Sequence, residues 1–297
     1  MLRRFIPDAA NAVLRKSGGG MSRFLILTCS VATLMTVAAG QNVTLEWNSA
    51  ALQGVRDSKI GPPMVARALT IDEQKMIAEY WKDGPHSETP PGHWCLFAQA
   101  ISRKDGHTLD QDAKLFFVLG NALLDASISA WACKYDPKND FVRPITAIRE
   151  RYKDKRVNSW LGPGKGYGNV LGQNWQPYQA VNVVTPPFPE YVSGHSTFTA
   201  AGRTIMALFY GTDNFNAKVT IPAGSSKIEP GITPGKTVVL SWKTLTDAAD
   251  QAGMSRRWGG IHFQTGDMDG RALGKVVGYD DWNKAQTFIN GTATAPA

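Results

Sequence analysis

Cysteine is scarce, with three residues in a chain of 297. Removal of a leader ending near Gly40 would take Cys29 with it, leaving Cys95 and Cys133 either as one disulfide or as two separate thiols. Long basic runs are missing too. The formal charge is +7, yet no stretch of Lys and Arg reads as a nucleic-acid arm, so the surplus is spread over the surface and a nucleic-acid partner is excluded. Internal repeats and low-complexity segments away from the ends are absent, which excludes a repeat array. Apolar runs are few: only residues 24–37 approach a membrane span, and they are short for one.

What is there points to an exported helical protein. A chain this long with 43% hydrophobic residues can bury a substantial core. The stretch "MSRFLILTCSVATLMTVAAGQ" pairs Arg23 with an apolar run and then small residues, as a signal peptide does, so residues 1–40 are expected to be an extension plus a processing segment. Secretion or a periplasmic location follows, with a membrane anchor through residues 24–40 as the rival. "NVT" at Asn42 and "NGT" at Asn290 would accept glycans only in a eukaryotic secretory pathway.

The dominant period is helical. Thr70 with Glu73, and Thr108 with Gln111, form capping boxes ahead of "DEQKMIAEYW" and "DQDAKLFFVLGNALLDASISAWACKY". Further helices are expected over "PITAIRERY", "HSTFTAAGRTIMALFY", "TLTDAADQAGMSRRW" and "DGRALGKVVGYDDW". Only "KVTIPAGSSKIEPGITPGKTVVL" reads as strand and turn. The expected fold is an all-α bundle over residues 41–297 with one small hairpin-like insertion.

Three clusters stand out: "KYDPKNDFVRP" with Lys134 and Arg143, "PPFPEYVSGHSTF" with Ser193, Gly194 and His195, and "SRRWGGIH" with Arg256 and His262. Taken singly, each Arg reads as an ion pair or a cap and His262 as a structural histidine. Together they make a cradle for a tetrahedral oxyanion. Ser193 and Gly194 lie where a helix begins, so unpaired backbone N–H groups and the positive helix end favour an anion. One Lys and two Arg supply charge-assisted hydrogen bonds. The two histidines supply a nucleophile or metal ligand and a proton donor.

These clusters resemble the tripartite signature shared by vanadium-dependent haloperoxidases and the type 2 phosphatidic acid phosphatase superfamily. The flanks "PPFPEYVSGHSTF", "VRPITAIR" and "RRWGGIHFQTGD" are closer to the haloperoxidase branch, and the similarity runs over residues 47–282. The resemblance implies that His262 is the axial ligand of the vanadium in bound vanadate. It implies that Lys134, Arg143, Arg256, Ser193 and the Gly194 N–H hold the equatorial oxygens. His195 would be the acid–base group that admits hydrogen peroxide, and Lys134 would polarise that peroxide for halide attack. Hypohalous acid would then halogenate a small organic acceptor. The phosphatase alternative has His262 attack the phosphorus of a phosphate ester while His195 protonates the leaving oxygen. Trp131 and Phe188 would line the pocket and keep it apolar.

Three departures from the pattern stand in the chain. Val192 replaces the usual proline before Ser-Gly-His, and Lys134 stands nine residues before Arg143 instead of seven. "ARAL" and "DEQK" are joined almost directly near residues 69–71, where the family pattern is longer, so a truncated inactive paralogue is a third reading. Of the two lysines in the first cluster, Lys134 extends the small-residue stripe of Ala122, Ala126 and Ala130 and is the expected ligand. Lys138 follows Pro137 and is expected on a bulge. A single chain and a homo-oligomer are both compatible with the composition.

Overall fold

The computed structural model describes residues 71–84 and 87–294. The expected leader, the Thr70 cap and the short junction near residues 69–71 lie outside them. Among the described residues the chain runs through α1 (Ile71–Tyr80), α2 (Thr89–Asp105), α3 (Leu109–Lys134), α4 (Pro144–Arg151), β1 (Arg156–Trp160), β2 (Tyr167–Leu171), α5 (Gly194–Tyr210), β3 (Asn214–Ile221), β4 (Val238–Thr244), α6 (Leu245–Trp258) and α7 (Gln264–Ile289).

Helix starts follow the sequence. Thr108 caps α3 in a reciprocal box with Gln111, and Thr244 caps α6 in another with Asp247. Helix α2 was not expected, because "TPPG" at its start reads as a loop. Prolines are nevertheless tolerated in a first turn, where their missing N–H would have no partner. The strands form two antiparallel hairpins, β1–β2 and β3–β4. The first corrects the expectation of a single hairpin: its strands are five residues each, joined by a glycine-rich turn, and bury few side chains, so the alternation that marks a strand is faint.

Helix α5 is the axle, packed by α2, α3, α6 and α7. Its first three turns are almost wholly buried. Around it Trp81, Trp94, Leu115, Leu119, Ile205, Met206 and Leu245 are buried, and each side chain of this class contributes ~1.5–3 kcal/mol when taken from water. Glycines let α7 lie directly against α5. A Cβ at Gly270 would fall 2.7 Å from the Ser193 carbonyl oxygen, and one at Gly274 would fall 2.1 Å from that of Thr197. Among the described residues Cys95 and Cys133 are not joined in a disulfide.

A second buried cluster lies toward the hairpins. Glu229 accepts from Lys75 Nζ at 2.6 Å, Thr233 Oγ1 at 2.7 Å, Trp160 Nε1 at 3.1 Å and the Gly164 N–H at 3.2 Å. Burial alone would raise its pKa, but those bonds outweigh it and hold the carboxyl below its ordinary value.

Candidate functional site

Four chain segments converge at the start of α5. Helix α3 ends by delivering Lys134 into the interior, as the Ala122, Ala126 and Ala130 stripe requires: all three alanines are fully buried and Lys134 is 1% exposed. Pro137 then starts a short 3-10 turn, Pro137–Asn139, which leaves Lys138 exposed. This turn absorbs the two extra residues before Arg143, the N-cap residue of α4. Helix α6 supplies Arg256, and a turn through Gly259 and Gly260 brings His262 back. Gly260 has φ of +70°, a conformation that favours glycine.

Each cation is held differently. Lys134 Nζ donates to the carbonyls of Pro189 (3.0 Å), Glu190 (3.1 Å) and Val192 (2.5 Å). Burial, then the neighbouring Arg143, pushes its pKa down to about 7, while the three carbonyls pull the other way by accepting from the ammonium form. Arg143 donates through Nε to Phe188 O, through Nη2 to Pro189 O, and through Nη1 to Ile261 O (2.9 Å) and His262 Nε2 (3.0 Å). Arg256 donates through Nη1 to Trp81 O at 2.9 Å, and its buried Nε has no partner among the described residues. Burial lowers both guanidinium pKa values to about 10.

The histidines carry opposite tautomers. His262 Nδ1 lies 2.7 Å from Glu190 Oε1; a carboxylate accepts and the Arg143 guanidinium donates, so Nδ1 carries the proton and Nε2 the lone pair. His195 Nε2 lies 3.3 Å from the Lys82 carbonyl, so there Nε2 carries the proton. Burial first, then Arg143 beside His262 and Arg256 beside His195, holds both imidazoles well below the ordinary pKa and therefore neutral. Asp83 Oδ2 is 3.9 Å from His195 Nε2, and its Oδ1 accepts from His93 Nδ1 at 3.0 Å.

Ser193 is fully buried, caps α5 and accepts from the Ser196 N–H. Ser196 Oγ lies 2.9 Å from Ser193 Oγ and 2.8 Å from Asp267 Oδ1. The N–H groups of Gly194 and His195 open the helix ahead of any intrahelical partner. Gly194 permits close approach, since a Cβ there would lie 3.2 Å from the Trp131 ring. Trp131 and Phe188 meet with ring centroids 5.3 Å apart, and Lys134 Nζ sits 5.1 Å from the Phe188 centroid. Trp131 keeps 38% of its surface exposed, so this aromatic wall is open on its outer side.

The structure thus brings together Lys134, Arg143, Ser193, Gly194, His195, Arg256, His262, Trp131 and Phe188. Three buried cations face two carboxylates, Glu190 and Asp83, and burial raises the pKa of Glu190 to about 7. Excess positive charge, an orphaned guanidinium N–H and free helix-start N–H groups together fit a tetrahedral oxyanion. Sequence reasoning missed Glu190, Asp83 and Asp267. Glu190 lay inside the second cluster, where an acidic partner for a ligating histidine could have been sought; Asp83 lies far upstream with no motif around it.

A family model described as the VCPO second helical-bundle domain matches residues 114–291. Among solved structures, the chain is similar to a holo-type bacterial vanadium-dependent chloroperoxidase at 28% identity and TM-score 0.65, over 74% of this chain and 45% of that one. The apo-type bacterial chloroperoxidase gives 28% and 0.66 over 76% and 47%. A bacterial vanadium-dependent iodoperoxidase gives 25% and 0.54 over 84% and 51%. The chain spans about half the length of these structures. Among curated proteins, none matches.

Proposed function

We propose, from the premise that this chain belongs to the VCPO second helical-bundle domain family, that its cationic site binds vanadate and oxidises halide with hydrogen peroxide. The observation that carries this reading is the unpartnered Nε of buried Arg256 beside Lys134 and Arg143. Buried donors without acceptors are costly, and an oxyanion relieves them. Vanadate, when bound, would supply the Lewis acidity that makes peroxide an oxidant for halide.

The chain's own residues have separable roles in this reading. His262 would hold the vanadium through the Nε2 lone pair. Arg143 and Arg256 neutralise oxyanion charge, and Ser193 with the Gly194 N–H donates to the remaining oxygens. Lys134 reaches the anion only by releasing one of its three carbonyls, so it both tethers the Pro189–Val192 backbone and stands ready to donate. His195 gains proton affinity when an anion offsets the Arg256 field, and Asp83 beside it stabilises the charged form. It then moves the proton that peroxide gives up. Trp131 and Phe188 limit water on one side, and a small organic acceptor would take up the hypohalous acid.

The test is to add orthovanadate to purified protein and measure peroxide- and halide-dependent halogenation beside phosphate-ester hydrolysis. Halogenation that requires vanadate supports the reading. Hydrolysis inhibited by vanadate, with no halogenation, replaces it with the phosphatase; neither activity makes the chain an inactive paralogue. His262→Ala should abolish vanadate binding, whereas His195→Ala should retain binding and lose turnover. Equal loss of affinity in both would break the assignment.

A further inference from the structure

Resting on the reading of His262 as the axial ligand, we infer that Glu190 is a positioning residue that fixes which imidazole nitrogen faces the anion. A neutral imidazole has one N–H and one lone pair, and free histidine favours the proton on Nε2. At His262 the reverse arrangement is the one the neighbours accept, because Arg143 Nη1 stands 3.0 Å from Nε2 and donates to it. The group that holds the proton on Nδ1 is Glu190 Oε1, 2.7 Å away.

Glu190 is itself held from several sides. The same Oε1 accepts the Phe263 N–H at 3.0 Å, at the start of α7, where the positive helix end favours a carboxylate. Its backbone N–H donates to Phe141 O, and its carbonyl accepts from Lys134. Space for the carboxylate comes from Gly266, where a Cβ would lie 2.3 Å from Oε1. Glu190 therefore joins the ligand-bearing turn through its carboxylate to the end of α3 and the run into α5 through its backbone. Its effect on chemistry passes through His262.

The test begins with the anion-free protein. Nitrogen-15 spectra of labelled histidines should show His262 as the Nδ1–H tautomer in wild type, with Nε2–H appearing in Glu190→Ala, where Arg143 alone opposes it, and Nδ1–H again in Glu190→Gln, whose amide oxygen can still accept. Orthovanadate affinity measured by calorimetry should fall ~10- to 100-fold in Glu190→Ala and recover most of that loss in Glu190→Gln. Gly266→Ala, which pushes the carboxylate aside without removing it, carries the same expectation if Glu190→Ala fails to fold. An unchanged tautomer in Glu190→Ala or Gly266→Ala, or equal affinity loss in Gln and Ala, overturns the role. A shifted tautomer in a protein that takes up no vanadate in any form keeps Glu190's hold on the ring and overturns the reading of His262 as ligand.

Discussion

Two of the places where the described residues bury charge, the Glu229 cluster and the His262 site, are built on opposite plans. Around Glu229 one carboxylate is met by one lysine and four neutral donors, so every partner is internal. Around His262 stand three buried cations and Glu190, whose pKa burial raises to about 7 against the pull of Arg143 and Lys134, and one guanidinium N–H has no partner among the described residues. The first cluster is complete in itself. The second leaves donors that an anion from outside would satisfy. Buried charge alone does not mark a site; an imbalance of donors over acceptors does.

The largest expected effect is on stability at the balanced cluster. Lys75→Ala leaves Glu229 buried without its cation and should cost about 3–5 kcal/mol in a urea titration. A loss under about 1 kcal/mol would show that the Glu229 cluster is not a closed pair, and the comparison would fail.

Arg256→Met should do the converse. Removing one of three crowded cations should change stability by less than about 1 kcal/mol. Vanadate affinity measured by calorimetry should fall about 10- to 150-fold, the equivalent of a charged hydrogen bond of about 1.5–3 kcal/mol.

A pH titration sharpens the contrast further. The folded pKa of Lys134 lies below its ordinary value, through burial and then Arg143. Between about 7 and 10.5 the unfolded chain therefore binds more protons, and stability should rise with pH across that window. Lys134→Met should flatten the rise, and saturating phosphate should shrink it, because a bound anion restores the charged form. A slope identical in Lys134→Met would remove Lys134 as its source.

The smallest effect is expected at Lys138, exposed on its 3-10 turn. Lys138→Ala should alter stability by within about 0.5 kcal/mol and leave vanadate affinity at the wild-type value. A steep affinity loss there would move the anion contact from Lys134 to Lys138.

Most of the helical frame was legible because its signals are local. The Thr108 box, the alanine stripe of α3 and the stop at Pro137 are each written within a few residues. The cationic side chains were legible because their spacing is fixed by two tight turns. What stayed hidden depends on distance along the chain. The bond between Lys75 and Glu229 spans 154 residues, and Asp83 reaches His195 only after α1 has packed against α6. The tautomer of His262 was equally hidden, since it is set by where Arg143 and Glu190 come to rest. Helix α2 was obscured by a different cause, a proline pair that signals a break in most settings and a first turn in this one.

The glycine stripe of α7 sets a limit on how the site can be altered. Where two helices meet through side chains, their separation can be adjusted in steps of a methyl group, and a pocket between them can be widened or narrowed by repacking. At Gly270 and Gly274 the contact is backbone on backbone, which leaves no shorter residue to substitute and no room for a longer one. The separation of the His262 turn from the Ser193 turn thus behaves as a gauge block, a fixed dimension from which other distances are taken. Selection or engineering that seeks to reshape the site must work on the open side, at Trp131 and Phe188, where dimensions are still set by side chains.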